Sequence, residues 1–156
     1  MKTALMFSTG KDDWQTPPDL YAELNAEFNF DIDLAASRDN TLSETFYTER
    51  CSAFDACWSL NLEFCAVGFC NPPYSRGLQG KFIAKAASER RNGFTTVMLL
   101  PARTDTRAFH SHVWCAQTHK PREGVEVRFL PGRIKFVGAK HGAPFPSMIV
   151  VFRGAR

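Results

Sequence analysis

Four consecutive residues, Asn71-Pro72-Pro73-Tyr74, bring together groups suited to work on an aromatic exocyclic amine. Such a nitrogen is a poor nucleophile because its lone pair is delocalised into the ring. A catalyst must therefore hold both N–H hydrogens with fixed acceptors and tilt the nitrogen toward tetrahedral geometry. The side-chain oxygen of Asn71 is one acceptor. The Pro72 carbonyl is the other, since proline locks φ and no ladder continues through two prolines. Tyr74 adds a ring that can stack on a base lifted out of its duplex, a contact worth roughly 1–3 kcal/mol per base. The same residues also read as a plain strand ending in a proline turn, and the rest of the chain has to separate the two.

The elements that position this turn are legible on either side of it. The apolar run 64–70 reads as a short buried strand that the prolines stop, which puts Asn71 at the strand's carboxyl end. In open α/β sheets that edge is where ligands bind. Upstream, Thr16 is a fair N-cap, Pro17 and Pro18 suit a first turn, and Leu20, Tyr21, Leu24 and Phe28 recur at helical spacing, so a helix over about 17–28 is expected. Trp14 and Thr16 are then either a core anchor and a cap, or, with the free N–H groups of the helix start, a cradle for the carboxylate of a ligand. Residues 30–37 read as a strand with Asp33 at its carboxyl end. A carboxylate there accepts from an α-ammonium group or ribose hydroxyls, with Ala35 and Ala36 allowing close approach; capping the turn 37–40 is the bland use of the same residue.

After Asn71 the pattern predicts an amphipathic helix over 79–91, an apolar strand over 95–100 and a helix over 105–116. Three strands follow, 125–130, 134–137 and 148–152, separated by Pro131-Gly132 and by a loop over 138–146. His110 and His112 lack a carboxylate or Cys at ligand spacing, so no metal site is expected. The fold class expected is α/β, three layers with a mostly parallel sheet and an antiparallel edge near the C-terminus.

Composition sets the outer limits. The chain has 156 residues, 44% hydrophobic and 22% charged, which suits one globular domain over 1–156, with 1–13 as a loose lead-in. No apolar run reaches membrane-spanning length and the start does not read as a secretory signal, so a cytoplasmic protein is expected. Five cysteines, Cys51, Cys57, Cys65, Cys70 and Cys115, form no C-x-x-C pair and read as reduced core thiols. Net charge is +3. Most Lys and Arg follow Asn71 and most acids precede it, so the second half either faces a polyanion or has solvated helix faces.

Asn-Pro-Pro-Tyr resembles the catalytic motif of S-adenosylmethionine-dependent amino-methyltransferases. Trp-x-Thr-Pro at Trp14, Asp-x-Ala-Ala at Asp33 and Asn-Pro-Pro-Tyr at Asn71, in that order, resemble the phage-type DNA N6-adenine methyltransferase (Dam) family carried by phages and prophages. The resemblance continues through 98–106, Phe109-His110, 132–136 and 145–147, and so covers roughly 14–152. It implies a reduced class I methyltransferase fold, S-adenosylmethionine as cofactor, double-stranded DNA as partner, and methylation of a flipped adenine at N6 in a bacterial cytoplasm.

Residue by residue, the resemblance implies catalysis by Asn71, Pro72, Pro73 and Tyr74. Trp14, Thr16, Pro17, Asp33, Ala35, Phe54 and Asn71 fall at the cofactor. Tyr74, Arg76, Arg103 and Arg133 are the candidate DNA contacts. Residues 46–49 are expected as a short second strand, with Phe54 packing on the cofactor's adenine. Three rival readings share parts of the pattern. A cytosine-N4 methyltransferase more often has Ser at the Asn71 position, a protein-glutamine methyltransferase usually carries a glycine-rich first motif, and a catalytically idle module would bind DNA alone. No glycine lies between Gly10 and Gly68.

Overall fold

The computed structural model describes residues 14–48, 53–58, 66–75 and 77–155. Its framework is a five-stranded sheet. β1 (Ile32–Asp33), β2 (Val67–Cys70) and β3 (Thr95–Pro101) pair in parallel, β7 (Ser147–Phe152) runs antiparallel beside β3, and β6 (Val125–Phe129) pairs antiparallel with β7. The spatial order is β1-β2-β3-β7-β6, so β7 alone is reversed. The reversed strand was expected at the edge and instead lies one place inside it. All six residues of β7 are buried, so it needs neighbours on both sides, whereas β6 interleaves Glu126 and Arg128 with its valines and tolerates a free edge.

Alternation along the central strands sorts the core into two clusters. Met98, Leu100, Met148, Val150 and Phe152 point to one face, covered by α2 (Leu78–Glu89) through Phe82, Ile83 and Ala86. Val97, Leu99, Ile149 and Val151 point to the other, covered by α1 (Pro18–Phe28) through Tyr21 and Leu24 and by Phe136, Ala143 and Phe145 of the segment joining β6 to β7. Gly68 is where the first face packs closest: a Cβ there would stand 2.8 Å from Leu34 Cδ1 and 2.9 Å from the Phe94 ring.

Several expected elements differ. Residues 134–137 are not a strand; they fold over the sheet face, with Ala143 N–H bonded to the Ile134 carbonyl and Val137 N–H to that of Gln15. The helix expected over 105–116 stops early, in a wide π-type turn at Phe109–Val113. There the chain extends into β4 (Trp114–Cys115), which pairs with β5 (Lys120–Pro121). The strand at 30–37 keeps only Ile32 and Asp33 in the ladder, and the strand expected at 46–49 is a single parallel bridge from Phe46 to Asp33, Glu49 lying outside the described residues. The described cysteines are Cys57, Cys70 and Cys115. Cys70 is a core thiol as expected, but Cys57 and Cys115 are only half-buried; Cys51 and Cys65 lie outside the described residues. No helix among the described residues is long and apolar enough to cross a membrane.

Candidate active site

The carboxyl ends of β1, β2 and β3 lie side by side. Asp33 is opposite Phe69 in the ladder, and two residues further along β2 the chain leaves the sheet at Asn71. The strand ends there because Pro72 and Pro73 supply no N–H to pair.

Asn71 is held from the segment that precedes α1. One N–H of its side-chain amide donates to the carbonyl of Trp14 and its Nδ2 lies 2.9 Å from Oγ1 of Thr16, while its Oδ1 is buried and has no partner among the described residues. A buried amide oxygen left open costs free energy unless something arrives to fill it. Its geometry is that of an acceptor awaiting a donor.

Thr16 was expected to cap the helix and does not. Pro17 takes the cap position and Pro18 opens the helix, so the donor a Thr16 cap would meet in the first turn is displaced, and the hydroxyl turns to Asn71. The helix start is also less suited to a ligand carboxylate than its position implies. Pro18 has no N–H and the Leu20 N–H is taken by Asp19 Oδ1 at 2.9 Å, so the first turn already carries a carboxylate of its own.

Trp14 lies between two rings, 5.3 Å from Phe136 and 5.2 Å from Phe145 between centroids. The same two rings flank Tyr74, at 6.3 and 5.6 Å, both nearly edge-on. Tyr74 is 3% exposed and its hydroxyl donates to the Leu99 carbonyl at 3.3 Å. Burial pushes its phenol far above the usual value, so it stays protonated. The ring expected to be a stacking platform is thus a core residue in this conformation, with its faces covered. Leaving β2, the chain turns Tyr74 onto the face that Phe136 and Phe145 close. Arg103, exposed as a DNA contact should be, donates from Nη1 to the Tyr74 carbonyl at 3.2 Å and so tethers the turn from outside.

Asp33 is 5% exposed, and burial pushes its carboxyl up to about 6, against the N–H groups of Ala35 and Leu42, which favour the ionised form. The Ala35 N–H reaches Asp33 Oδ1 at 3.2 Å, a local turn at the strand end, whereas the turn 37–40 that Asp33 was expected to cap is closed by Asn40 Oδ1, which accepts the Ser37 N–H. No Lys or Arg pairs with it among the described residues. A buried carboxylate without a cation is the acceptor an α-ammonium group needs, so the residue fits that part of S-adenosylmethionine as well as it fits the turn.

The other candidates are scattered. Phe54 packs on Phe82 of α2, 4.5 Å between centroids. Ala35 is half-buried against the same cluster, Pro17 accepts the Tyr21 N–H at 3.1 Å, and Pro72 is buried while Pro73 is half-buried. Arg133 is exposed on the segment between β6 and β7, where Gly142 lies against its Cβ. Arg76 lies outside the described residues. No three His, Cys, Asp or Glu side chains among the described residues converge to hold a metal ion. Sequence reasoning missed the carbonyl of Trp14 as a partner of Asn71 and the Phe136–Phe145 pair that packs on Trp14 and Tyr74. The backbone carbonyl left no trace in residue type. The two phenylalanines did stand in segments already singled out.

A DNA N-6-adenine-methyltransferase of Escherichia phage T1 is 33% identical over 100 residues, a stretch that takes in 64% of this chain but only 40% of that protein's length. No solved structure matches the chain. The family model described as DNA N-6-adenine-methyltransferase (Dam) matches residues 4–155, nearly end to end, and the chain belongs to that family.

Proposed function

We propose that this chain transfers a methyl group from S-adenosylmethionine to N6 of adenine in DNA, on a base flipped out of the duplex. The observation that carries the reading is the buried Oδ1 of Asn71, without a partner among the described residues, at the carboxyl end of a strand and next in the chain to the Pro72 carbonyl. Two acceptors at that point grip the two hydrogens of an exocyclic amine and weaken the conjugation of its lone pair, an interaction that strengthens toward the transition state. When bound, the sulfonium supplies an activated methyl group and departs as a neutral thioether. Asn71 is not basic, so it holds hydrogens without taking one, and the proton leaves the methylated nitrogen to water. Asp33 neutralises the α-ammonium of the donor. Positioning carries the rate.

The basic face supports a DNA substrate. From Val127 to Arg156 there is no Asp or Glu; within that stretch Arg128 and Arg153 pair with Glu27 and Glu126, and Arg133, Lys135 and Lys140 carry the remaining described positive charge. Arg133, Lys135 and Lys140 are exposed on the segment between β6 and β7, which leaves the sheet at the same edge as Asn71. Arg103 adds a guanidinium tied to the turn itself. Tyr74 supports that turn from within, and flipping a base costs a few kcal/mol that the phosphate contacts offset.

Incubation with tritiated S-adenosylmethionine and DNA, followed by nucleoside analysis, should yield N6-methyladenine. Label in N4-methylcytosine or in protein would overturn the reading. Asn71→Ala should lower kcat by about 100-fold or more with S-adenosylmethionine affinity within a few-fold, as expected for a contact made mainly in the transition state.

A further inference from the structure

We propose that Thr16 is a positioning residue for methyl transfer, acting through Asn71: with the Trp14 carbonyl it occupies both N–H groups of the Asn71 amide, so that only the oxygen faces the acceptor amine. The inference rests on the reading of Asn71 given above. A primary amide can turn by 180° about its last bond, and the turned form would set an NH2 against the NH2 of the substrate, donor facing donor. The Trp14 carbonyl accepts and cannot donate, so it rejects the turned form outright. Thr16 Oγ1, 2.9 Å from Nδ2, is the second anchor and fixes the plane of the amide. An amide whose two N–H groups are both engaged is also polarised toward a stronger acceptor oxygen, in the manner of a hydrogen-bonded chain.

The local sequence keeps Thr16 ready for this task. A β-branched side chain is stiff at χ1, and a residue before proline is confined to extended backbone. Because Pro17 takes the cap position and Pro18 opens the helix, Thr16 makes no cap bond that would compete for its hydroxyl. The residue is 8% exposed, so water does not replace it freely. The rival use of Thr16 is as a direct ligand of the methionine part of the cofactor.

Thr16→Val keeps shape and removes the hydroxyl; Thr16→Ser keeps the hydroxyl. With the full chain, Thr16→Val should lower kcat about tenfold, the loss of one buried hydrogen bond expressed as a rate. The Kd for S-adenosylmethionine and the KM for DNA should stay within about twofold of wild type, and Tm within about 4 °C. Thr16→Ser should recover most of the rate. In 15N-edited spectra, one side-chain amide hydrogen of Asn71, identified by its absence in Asn71→Ala, should lose its hydrogen-bonded shift in Thr16→Val. A Thr16→Val enzyme with wild-type kcat overturns the proposal, and so does one whose cofactor affinity falls while kcat at saturation does not. An Asn71→Ala protein that is fully active removes the underlying reading and the positioning role with it. An inactive Asn71→Ala beside a fully active Thr16→Val removes the positioning role alone.

Discussion

One face of the sheet is covered by a regular helix and the other by a helix plus a folded-back segment, and the candidate site depends on the second arrangement. On the α2 side, Phe82, Ile83 and Ala86 meet Met98, Leu100, Met148 and Val150, an apolar layer with ordinary helical periodicity. On the α1 side, regular structure stops short of the carboxyl edge. Trp14, Tyr74, Phe136 and Phe145 close that end as a group of rings meeting largely edge to face. A helix would have satisfied its own backbone groups. Irregular chain leaves carbonyls free for other uses, and in the segment that precedes α1 the Trp14 carbonyl holds Asn71. The less regular cover is thus the one that can reach the site.

Truncating one ring on each face breaks this comparison in the most direct way. Phe94 is buried against Trp58 on the α2 side, and Phe136 is buried against Trp14 and Tyr74 on the other. Phe94→Ala and Phe136→Ala should each lose roughly 3–5 kcal/mol in denaturant unfolding. The milder Phe94→Leu and Phe136→Leu proteins, assayed while folded, should separate. Only the second should lose kcat, because only Phe136 packs on Trp14, whose carbonyl holds Asn71. Equal kcat values in the two leucine proteins would show that Trp14 is held in place without that ring.

Asp33 sharpens the comparison through pH. Its carboxyl stands at about 6 in the folded chain against an ordinary 3.8, so the native state binds the extra proton between those values. Stability should therefore fall as pH rises from about 4 to about 6 and then level off. Replacing the group by a neutral amide removes that cost. Asp33→Asn should be more stable than wild type at pH 8 by up to about 3 kcal/mol and no more stable at pH 4, read from urea midpoints. S-adenosylmethionine should bind more weakly to Asp33→Asn by calorimetry, and wild-type affinity should drop as pH falls through 6. An affinity that ignores both changes would make Asp33 a turn residue only.

The smallest effect belongs to the surface. Arg133 is exposed, with no carboxylate following Glu126 in the chain, so Arg133→Ala should weaken DNA binding a few-fold and lower the salt slope by about one. A helix-face arginine on the α2 side, Arg91, should change neither.

The chemistry of the site was legible in the chain because it depends on residue type and order. Two prolines after Asn71 stop a strand, and the apolar runs behind it and at 95–100 read as buried strands; their parallel pairing with β1 is what brings Asn71 and Asp33 out at one sheet edge. What the chain did not determine is who holds whom. Thr16 reads locally as a cap, and its hydroxyl goes to Asn71 because the helix starts two residues later, at Pro18, and tertiary packing brings a residue 55 positions away within reach. Tyr74 reads as an exposed ring beside a proline turn, and the direction in which the chain leaves β2 buries it beneath Phe136 and Phe145. Residues 134–137 have the composition of a strand but join no ladder, because Phe136 packs on Trp14 and Tyr74 and the Val137 N–H goes to the Gln15 carbonyl, which holds the segment over the face. Local sequence sets propensity and chemistry; competition for partners across the fold decides which hydrogen bond each group makes.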